Sequence, residues 1–178
     1  MKEKRAKNIL PCSIKWMSDL SQIEGDRFDS LPKNQLLQSS PYLRAVSKIN
    51  NYSIRYGVID MNGEFAGVCS VLETGLFKNV VHAVMLDQGP IWNEGYGSEA
   101  DFAAFLHAFR SEFPKRFGRR VRFIPNVKNT AGVRDALREY GFKLQGEAYK
   151  TIWLNCSQDE SALRTHLKKK WRNSLAKA

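Results

Sequence analysis

The residues with the clearest capacity for chemistry lie between Asp87 and Gly97, directly after a predicted buried strand. Glycines in this loop would let successive backbone N–H groups bind a phosphate at the start of the following helix. Pro90 removes one donor, and the acidic side chains in and beside the loop would repel phosphate. We predict Gly89, Gly95 and Gly97 as cofactor-binding residues, with an ordinary surface loop as the alternative.

A basic segment from Arg110 to Arg122 is the second candidate. Six basic side chains stand there against the single acid Glu112, and they are Arg110, Lys115, Arg116, Arg119, Arg120 and Arg122. Such a cluster predicts contact with a phosphate-rich partner, such as a nucleotide-linked cell-wall precursor or the acceptor arm of a transfer RNA. The alternative is a solvated helix end, where cations are favoured by the helix dipole.

The histidines and cysteines offer no recognisable catalytic or metal-binding pattern. His82, His107 and His166 are widely separated, and packing is predicted for the first two because no carboxylate or serine motif accompanies them. The three cysteines form no C-x-x-C pair, so no metal site is predicted. The sequence also lacks G-x-S-x-G, H-E-x-x-H and Walker motifs, which excludes the corresponding hydrolase, metalloprotease and phosphate-loop classes. No catalytic residue is assigned.

Length and composition predict one folded domain with a real core, since the chain has 178 residues of which 43% are hydrophobic. The net charge of +10 is concentrated at the two ends, so the body of the domain is close to balanced. Because Pro11 follows Ile9 and Leu10 at once, no apolar signal core or membrane span is predicted there. With reduced thiols, these features predict a cytoplasmic protein.

Apolar periodicity predicts a mixed central sheet flanked by helices, an α/β (α+β) fold. The predicted strands are Ser53 to Asp60, Glu64 to Glu73, Val80 to Leu86, Val121 to Ile124 and Glu147 to Leu154. The predicted helices are Met17 to Leu31 with a break at Gly25, Pro41 to Ile49, Ser98 to Phe113 and Asn129 to Tyr140. The helix from Ser98 would connect the strands at Val80 and Val121, which must then be parallel.

The C-terminal segment predicts one basic amphipathic helix. Ser157 and Glu160 form a capping-box pattern that would fix its start. An apolar stripe at i, i+4 spacing follows, formed by Leu163, Leu167, Trp171 and Leu175. Such a stripe needs a partner, so the chain is expected to continue into another domain or to pair with a second copy.

Three stretches of the sequence are considered together: the helix from Asn129 to Gly141-Phe142, the segment Gly89-Pro90-Ile91-Trp92, and the basic segment Leu163 to Ala178. They resemble the FemAB-like acyl and aminoacyl transferases of the acetyltransferase-like (GNAT) superfamily. Gln38-Ser39 before Tyr42 adds weaker support. The stretches occur in the family's order, and the resemblance covers roughly residues 36 to 178.

The resemblance implies a GNAT-like core at residues 36–156, an N-terminal segment at 1–35, and a helix at 157–178 leading to a second GNAT-like domain. It implies transfer of an acyl or aminoacyl group to an amine acceptor, such as a peptidoglycan precursor, from acetyl-CoA or aminoacyl-tRNA. It also implies substrate-binding roles for Lys48, Trp92, Lys170 and Arg172. The alternatives are a stand-alone acetyl-CoA-dependent N-acetyltransferase and a non-catalytic GNAT-like binding domain.

Overall fold

The structure, a computed structural model, describes residues 11–19, 31, 35–77, 80–145 and 159–175. The chain divides into two compact units, Met1–Lys143 and Leu144–Ala178. The first unit contains the sheet and three α-helices, and the second contains two short helices. The first strand of the sheet lies within residues 1–35, the segment predicted to hold a strand and helix before the core, and it pairs with the second strand.

Six strands form one mixed sheet in the first unit, in the order β1-β2-β3-β4-β6, with β5 pairing to β3. They are β1 (Cys12–Met17), β2 (Ser53–Met61), β3 (Glu64–Leu76), β4 (Val81–Gly89), β5 (Ile91–Trp92) and β6 (Arg119–Pro125). The helices are a 3₁₀ turn (Leu36–Gln38), α1 (Ser40–Asn50), α2 (Glu99–Glu112), α3 (Ala131–Glu139), α4 (Glu160–His166) and α5 (Lys169–Leu175).

The predicted hairpin and the predicted parallel pair are both confirmed. Strands β2 and β3 are antiparallel, and Asn62 and Gly63 turn the chain between them with φ of 53° and 83°. Strands β4 and β6 are parallel, with Val84 opposite Val121, and α2 connects them in sequence. The predicted fold class, a mixed central sheet flanked by helices, is therefore confirmed.

The main core lies between the sheet and helix α2. Its aromatic side chains recur at helical spacing and are buried, at Phe102, Phe105, Phe109 and Phe113. The ring of Phe123 on β6 stacks on Phe102 and Phe109 at centroid distances of 5.9 and 5.8 Å. Each such ring contributes about 2 kcal/mol or more on burial, so this apolar stripe fixes how α2 lies on the sheet.

Helix α1 covers a second, smaller core on the opposite face. Leu43 of α1 is buried there with Tyr56, Val68 and Leu72 of strands β2 and β3. Pro41 stands in the first turn of α1, and Asn51 ends the helix in the left-handed region with φ of 55°. The helix predicted from Pro41 to Ile49 is confirmed.

Several predictions about the chain's ends need correction or lie outside the described residues. Met17, predicted to begin a helix, is the last residue of β1, and residues 20–30 are not described. The prediction of a single C-terminal helix is wrong, because Leu167 adopts an extended backbone conformation with ψ of 141° and separates α4 from α5. The cap of α4 is Asp159, which accepts from the backbone N–H of Ala162 at 2.9 Å. The strand predicted from Glu147 to Leu154 lies outside the described residues.

Candidate functional site

The last turn of the parallel pair carries a bulge. Pairing runs in register up to Asp87 opposite Ile124, and then shifts so that Gly89 stands opposite Pro125. Gln88, the extra residue, has φ of 55°, and the Gly89–Pro90 peptide bond is cis. The loop predicted to begin at Asp87 therefore starts three residues later, because the bulge keeps β4 paired beyond Leu86.

The bulge presents Asp87 beside Arg122 of β6. Arg122 Nε donates to Asp87 Oδ1 at 3.1 Å, and Arg122 Nη2 donates to Asp87 Oδ2, so the pair is bidentate. The Asp87 side chain is mostly buried, whereas Arg122 is more than half exposed. A carboxylate is thus held near the carboxyl ends of the parallel strands, which is where open α/β sheets usually bind ligands.

Gln38 joins β3 to β4 where their direct pairing has ended. Its amide nitrogen donates to the carbonyl oxygens of Asp87 at 2.7 Å and Ser70 at 3.2 Å. Its amide oxygen accepts from the backbone N–H of Ser70 at 2.7 Å. The direct β3–β4 pairing ends at Leu72 opposite Met85, so one buried side chain takes the place of the missing backbone pairs.

A cavity of about 130 Å³ opens beside this junction, between α1 and the sheet. Aliphatic side chains from α1, the 3₁₀ turn and the strands form most of its wall: Leu37, Leu43, Val46, Leu72 and Met85. Polar groups line the rest: Gln38, Tyr42, Tyr52, Ser70, Asp87 and Arg122. The Ser70 hydroxyl is buried and has no hydrogen-bond partner among the described residues. An unpaired buried hydroxyl costs about 1 to 3 kcal/mol, so a polar ligand atom would find a partner here.

The predicted cofactor-binding glycines lie in two separate places. Gly89 is buried in β4 beside Gln38, whereas Gly95 and Gly97 lie in the turn before α2. A Cβ at Gly97 would come within 2.8 Å of Trp92 Cδ1, so packing against Trp92 explains this glycine without a bound phosphate. The phosphate-binding role of these glycines stays a prediction.

The N-terminus of α2 is already occupied by a carboxylate of its own chain. Asp101 Oδ2 accepts from the backbone N–H groups of Gly97 and Ser98, each at 3.0 Å, and from Ser98 Oγ at 2.8 Å. Ser98 Oγ in turn accepts from the backbone N–H of Asp101, which completes the capping box. Two donors that a phosphate would use, the N–H groups of Gly97 and Ser98, therefore serve Asp101, and the charge of Asp101 opposes a second anion.

The predicted substrate-binding residues lie in separate elements, Lys48 and Trp92 in the first unit and Lys170 and Arg172 in the second. Lys48 is exposed in the last turn of α1 and does not line the cavity. Trp92 packs on the α2 side of the sheet, 6.1 Å from Phe105 between ring centroids, and its buried indole N–H lacks a partner in the described part of the chain. Lys170 and Arg172 lie in α5 of the second unit, where Arg172 donates to the carbonyl of Thr165 at 3.3 Å. Their substrate roles stay predictions.

Most guanidinium groups of the basic segment serve the fold. Arg110 donates to the carbonyl of Tyr140 at 2.9 Å and lies 4.0 Å from the Phe142 ring centroid, and burial lowers its pKa. Arg116 donates to the carbonyl of Val80, and Arg119 to His82. With Arg122 paired to Asp87, a phosphate-rich partner would compete with these contacts.

His82 is buried in a network of charged groups. Arg119 Nε donates to His82 Nδ1 at 3.1 Å, so the ring proton lies on Nε2, which donates to Glu73 Oε2 at 2.8 Å. Arg55 lies 3.4 Å from Glu73 Oε1. Both ring nitrogens of His82 have partners, as the predicted structural role requires. His107 differs, because it is exposed on α2 with its ring 6.0 Å from that of Tyr140.

Sequence reasoning missed the roles of Gln38, Ser70, Asp87 and Arg122. In the sequence, Gln38 gave only weak support for the family resemblance, and Asp87 was interpreted only as an acidic side chain that would repel phosphate. The roles of Gln38 and Asp87 depend on the end of the pairing between β3 and β4, which no local sequence pattern predicts. The described residues contain no group of three or more side chains arranged to hold a metal ion. Nor does any described helix combine the length and apolar character needed to cross a membrane.

The fold and site place the chain among α/β domains with a small cavity at a junction of strands. No family model matches the sequence, and no curated protein matches it. A solved structure described as a probable acetyltransferase is similar, with 12% sequence identity and a TM-score of 0.39. The likeness covers 84% of this chain and 100% of the other. So distant a likeness carries no functional argument, and the proposal below is based on this chain's own residues.

Proposed function

We propose that this chain is a FemAB-like acyltransferase domain that binds its amine acceptor in the cavity beneath α1. The observation that carries the proposal is the pairing of an aliphatic wall with polar groups near the carboxyl end of β4. The wall suits the methylenes of a primary amine, and Asp87 and the unpartnered Ser70 hydroxyl suit its nitrogen. The peptide of a cell-wall precursor could supply such an amine.

Acyl transfer would use this arrangement mainly for positioning. The uncharged amine nitrogen forms a bond to the activated carbonyl carbon, and the bond from that carbon to the donor's leaving group breaks. The proton lost by the amine ends on the leaving group, which departs as a free thiol or hydroxyl. Holding the amine in one orientation supplies much of the rate. Asp87 accepts a hydrogen bond from the amine, and Gln38 keeps the carbonyl of Asp87 in place at 2.7 Å.

Coenzyme A is a poor fit as the acyl donor at the start of α2. Asp101 already accepts from the N–H groups of Gly97 and Ser98 there, so they are not available to a phosphate. An aminoacyl group delivered by transfer RNA fits better, since its contacts would not depend on that helix end. The motif order from Gly89-Pro90-Ile91-Trp92 onward supports the same group of transferases.

A pair of matched variants tests the proposal. Asp87→Asn removes the carboxylate at the cavity, and Asp135→Asn makes the same change at an exposed ion pair on α3. Calorimetric titration with a lysine-containing cell-wall peptide should show that Asp87→Asn binds the peptide at least about tenfold more weakly than Asp135→Asn does. This ratio corresponds to a difference of about 1.4 kcal/mol in binding free energy. Mass spectrometry of mixtures with aminoacyl-tRNA or acetyl-CoA then identifies the donor. Equal binding of the peptide by both variants would show that the cavity does not bind the amine acceptor.

A further inference from the structure

Five large apolar side chains are exposed at one end of the sheet. They form what we call the hairpin-tip patch: Leu76, Phe77, Val80, Val81 and Phe117. Phe77 and Phe117 are 80% and 95% exposed, so the rings have almost no contact with the domain. Single exposed apolar residues are ordinary, but a group of this kind usually marks an interaction surface.

The patch is continuous across two segments that are far apart in sequence. Leu76 and Val81 are opposite each other in the β3–β4 pairing, and Val80 closes the turn by donating to the carbonyl of Phe77. The turn that carries Phe117 lies alongside, because the backbone N–H of His82 donates to the carbonyl of Gly118 at 2.9 Å. The five side chains therefore protrude from neighbouring turns.

Basic side chains border the patch. Arg116 and Arg120 are exposed beside it, since Arg116 donates to the carbonyl of Val80 and Arg120 is opposite Ala83 in the β4–β6 pairing. Neither residues 74–83 nor residues 114–122 contain an aspartate or glutamate. The two acids near Arg119 are already paired, Glu73 with His82 and the exposed Glu112 with Arg55.

We infer that the hairpin-tip patch is a docking site for an anionic lipid surface. Apolar side chains at protruding turns can enter the boundary between headgroups and acyl chains, and the surrounding cations then meet lipid phosphates and carboxylates. An anionic lipid surface matches both features of the patch, because it offers an apolar layer beneath a layer of negative charge. The inference is independent of the proposed acyl transfer.

Vesicle sedimentation with the full chain tests the inference. Vesicles of phosphatidylcholine and phosphatidylserine in equal amounts should bind the chain, and vesicles of phosphatidylcholine alone should bind it much less. Added salt should weaken the binding because it screens the charges of the basic side chains beside the patch. No binding to the anionic vesicles at low ionic strength would overturn the inference.

Matched variants separate the patch from the net charge of the chain. The double variant Phe77→Ser with Phe117→Ser should bind anionic vesicles at least tenfold more weakly, and Leu36→Ser with Ile49→Ser, equally exposed elsewhere, should not. Arg120→Glu should also weaken binding, whereas Arg44→Glu, at an exposed arginine of α1, should do so less. Thermal unfolding confirms that each variant is folded. Equal loss in both serine pairs, or a dimer that Phe117→Ser abolishes, would contradict lipid docking.

Discussion

Gln38 is the residue on which the shape of the candidate site most depends. Its side chain makes three hydrogen bonds to the backbone of Ser70 and Asp87, and it is almost fully buried. Backbone groups that lose such a partner without gaining water are costly. The position of Asp87 at the cavity therefore rests on a side chain contributed by the 3₁₀ turn before α1.

Replacing Gln38 by methionine should destabilise the domain strongly. The variant keeps the volume but leaves the Ser70 N–H and the carbonyls of Ser70 and Asp87 without their partner, at a cost of ~3 kcal/mol. Gln145→Met, at an exposed glutamine, is the control and should change little. Urea unfolding measures both. A Gln38→Met variant as stable as the control would show that water replaces the amide.

Cys69 should make the stability of the domain fall at alkaline pH. Complete burial raises the pKa of its thiol far above the ordinary value, with the nearby Cys12 adding to the shift. The folded state then holds a proton that the unfolded state releases above about pH 9, so stability is lost as pH rises.

The variant Cys69→Ala isolates this effect from other titrating groups. The smaller side chain lowers the free energy of unfolding by the same amount at every pH. The free energy of unfolding of the wild-type chain should fall, relative to that of Cys69→Ala, by up to about 1.4 kcal/mol for each pH unit above pH 9. Urea unfolding between about pH 8 and pH 10.5 measures the difference between the two proteins. A difference that stays constant with pH would show that the thiol titrates normally in the folded state.

The site residues were hard to predict for reasons visible at single positions. Asp87 precedes a glycine and a proline in sequence, which is typical of a loop, but the bulge keeps it in the strand. Gly97 has the appearance of a phosphate-binding glycine, but its close contact with Trp92 gives a packing reason for it. In both cases a packing or pairing partner, β6 for Asp87 and Trp92 of β5 for Gly97, decides what the local pattern means.

Helix α2 connects the parallel strands β4 and β6, and a capping box within its first turn closes its N-terminus. Ser98 and Asp101 cap each other's backbone N–H groups, and four buried phenylalanines hold the helix on the sheet. The start and end of α2 were predictable because Ser98 is a strong cap and Pro114 a strong stop. The connection between parallel strands followed from the order of elements.

Two serines of α2 provide a matched test of the cap. Ser98→Ala removes the acceptor for the Asp101 N–H and should cost about 1 kcal/mol. Ser111→Ala removes only a hydroxyl that donates to the carbonyl of His107 at the exposed end, so it should be neutral or slightly stabilising. Chemical unfolding of both variants measures the contrast. Equal stability would mean that the first turn is held by the phenylalanines alone.

The C-terminal helices show where element prediction reached its limit. The i, i+4 spacing of Leu163, Leu167 and Trp171 favours one continuous helix. The extended backbone of Leu167 instead separates two helices of seven residues each. Helices this short have little stability of their own, so their ends depend on tertiary contacts that sequence periodicity does not contain.

At the scale of the whole molecule, charge and apolar surface are unevenly distributed. The net charge of +10 suggests a polyanion partner, but four arginines of the basic segment contact carbonyls, a histidine or a carboxylate of the same domain. Arg120 of the same segment is exposed beside the hairpin-tip patch. The cavity beneath α1 and this patch are two surfaces of the described residues to which ligand roles are assigned above.

A nuclear magnetic resonance titration of the isotopically labelled chain tests the central claim most directly, because it reports each backbone N–H separately. With a lysine-containing acceptor peptide, we expect shifts at Ser70, at Asp87 and at the side-chain amide of Gln38. With acetyl coenzyme A, we expect Gly97 and Ser98 to stay unchanged, because Asp101 already holds their N–H groups. Shifts at Gly97 and Ser98 with coenzyme A, and none at Ser70 or Asp87 with the peptide, would contradict the account.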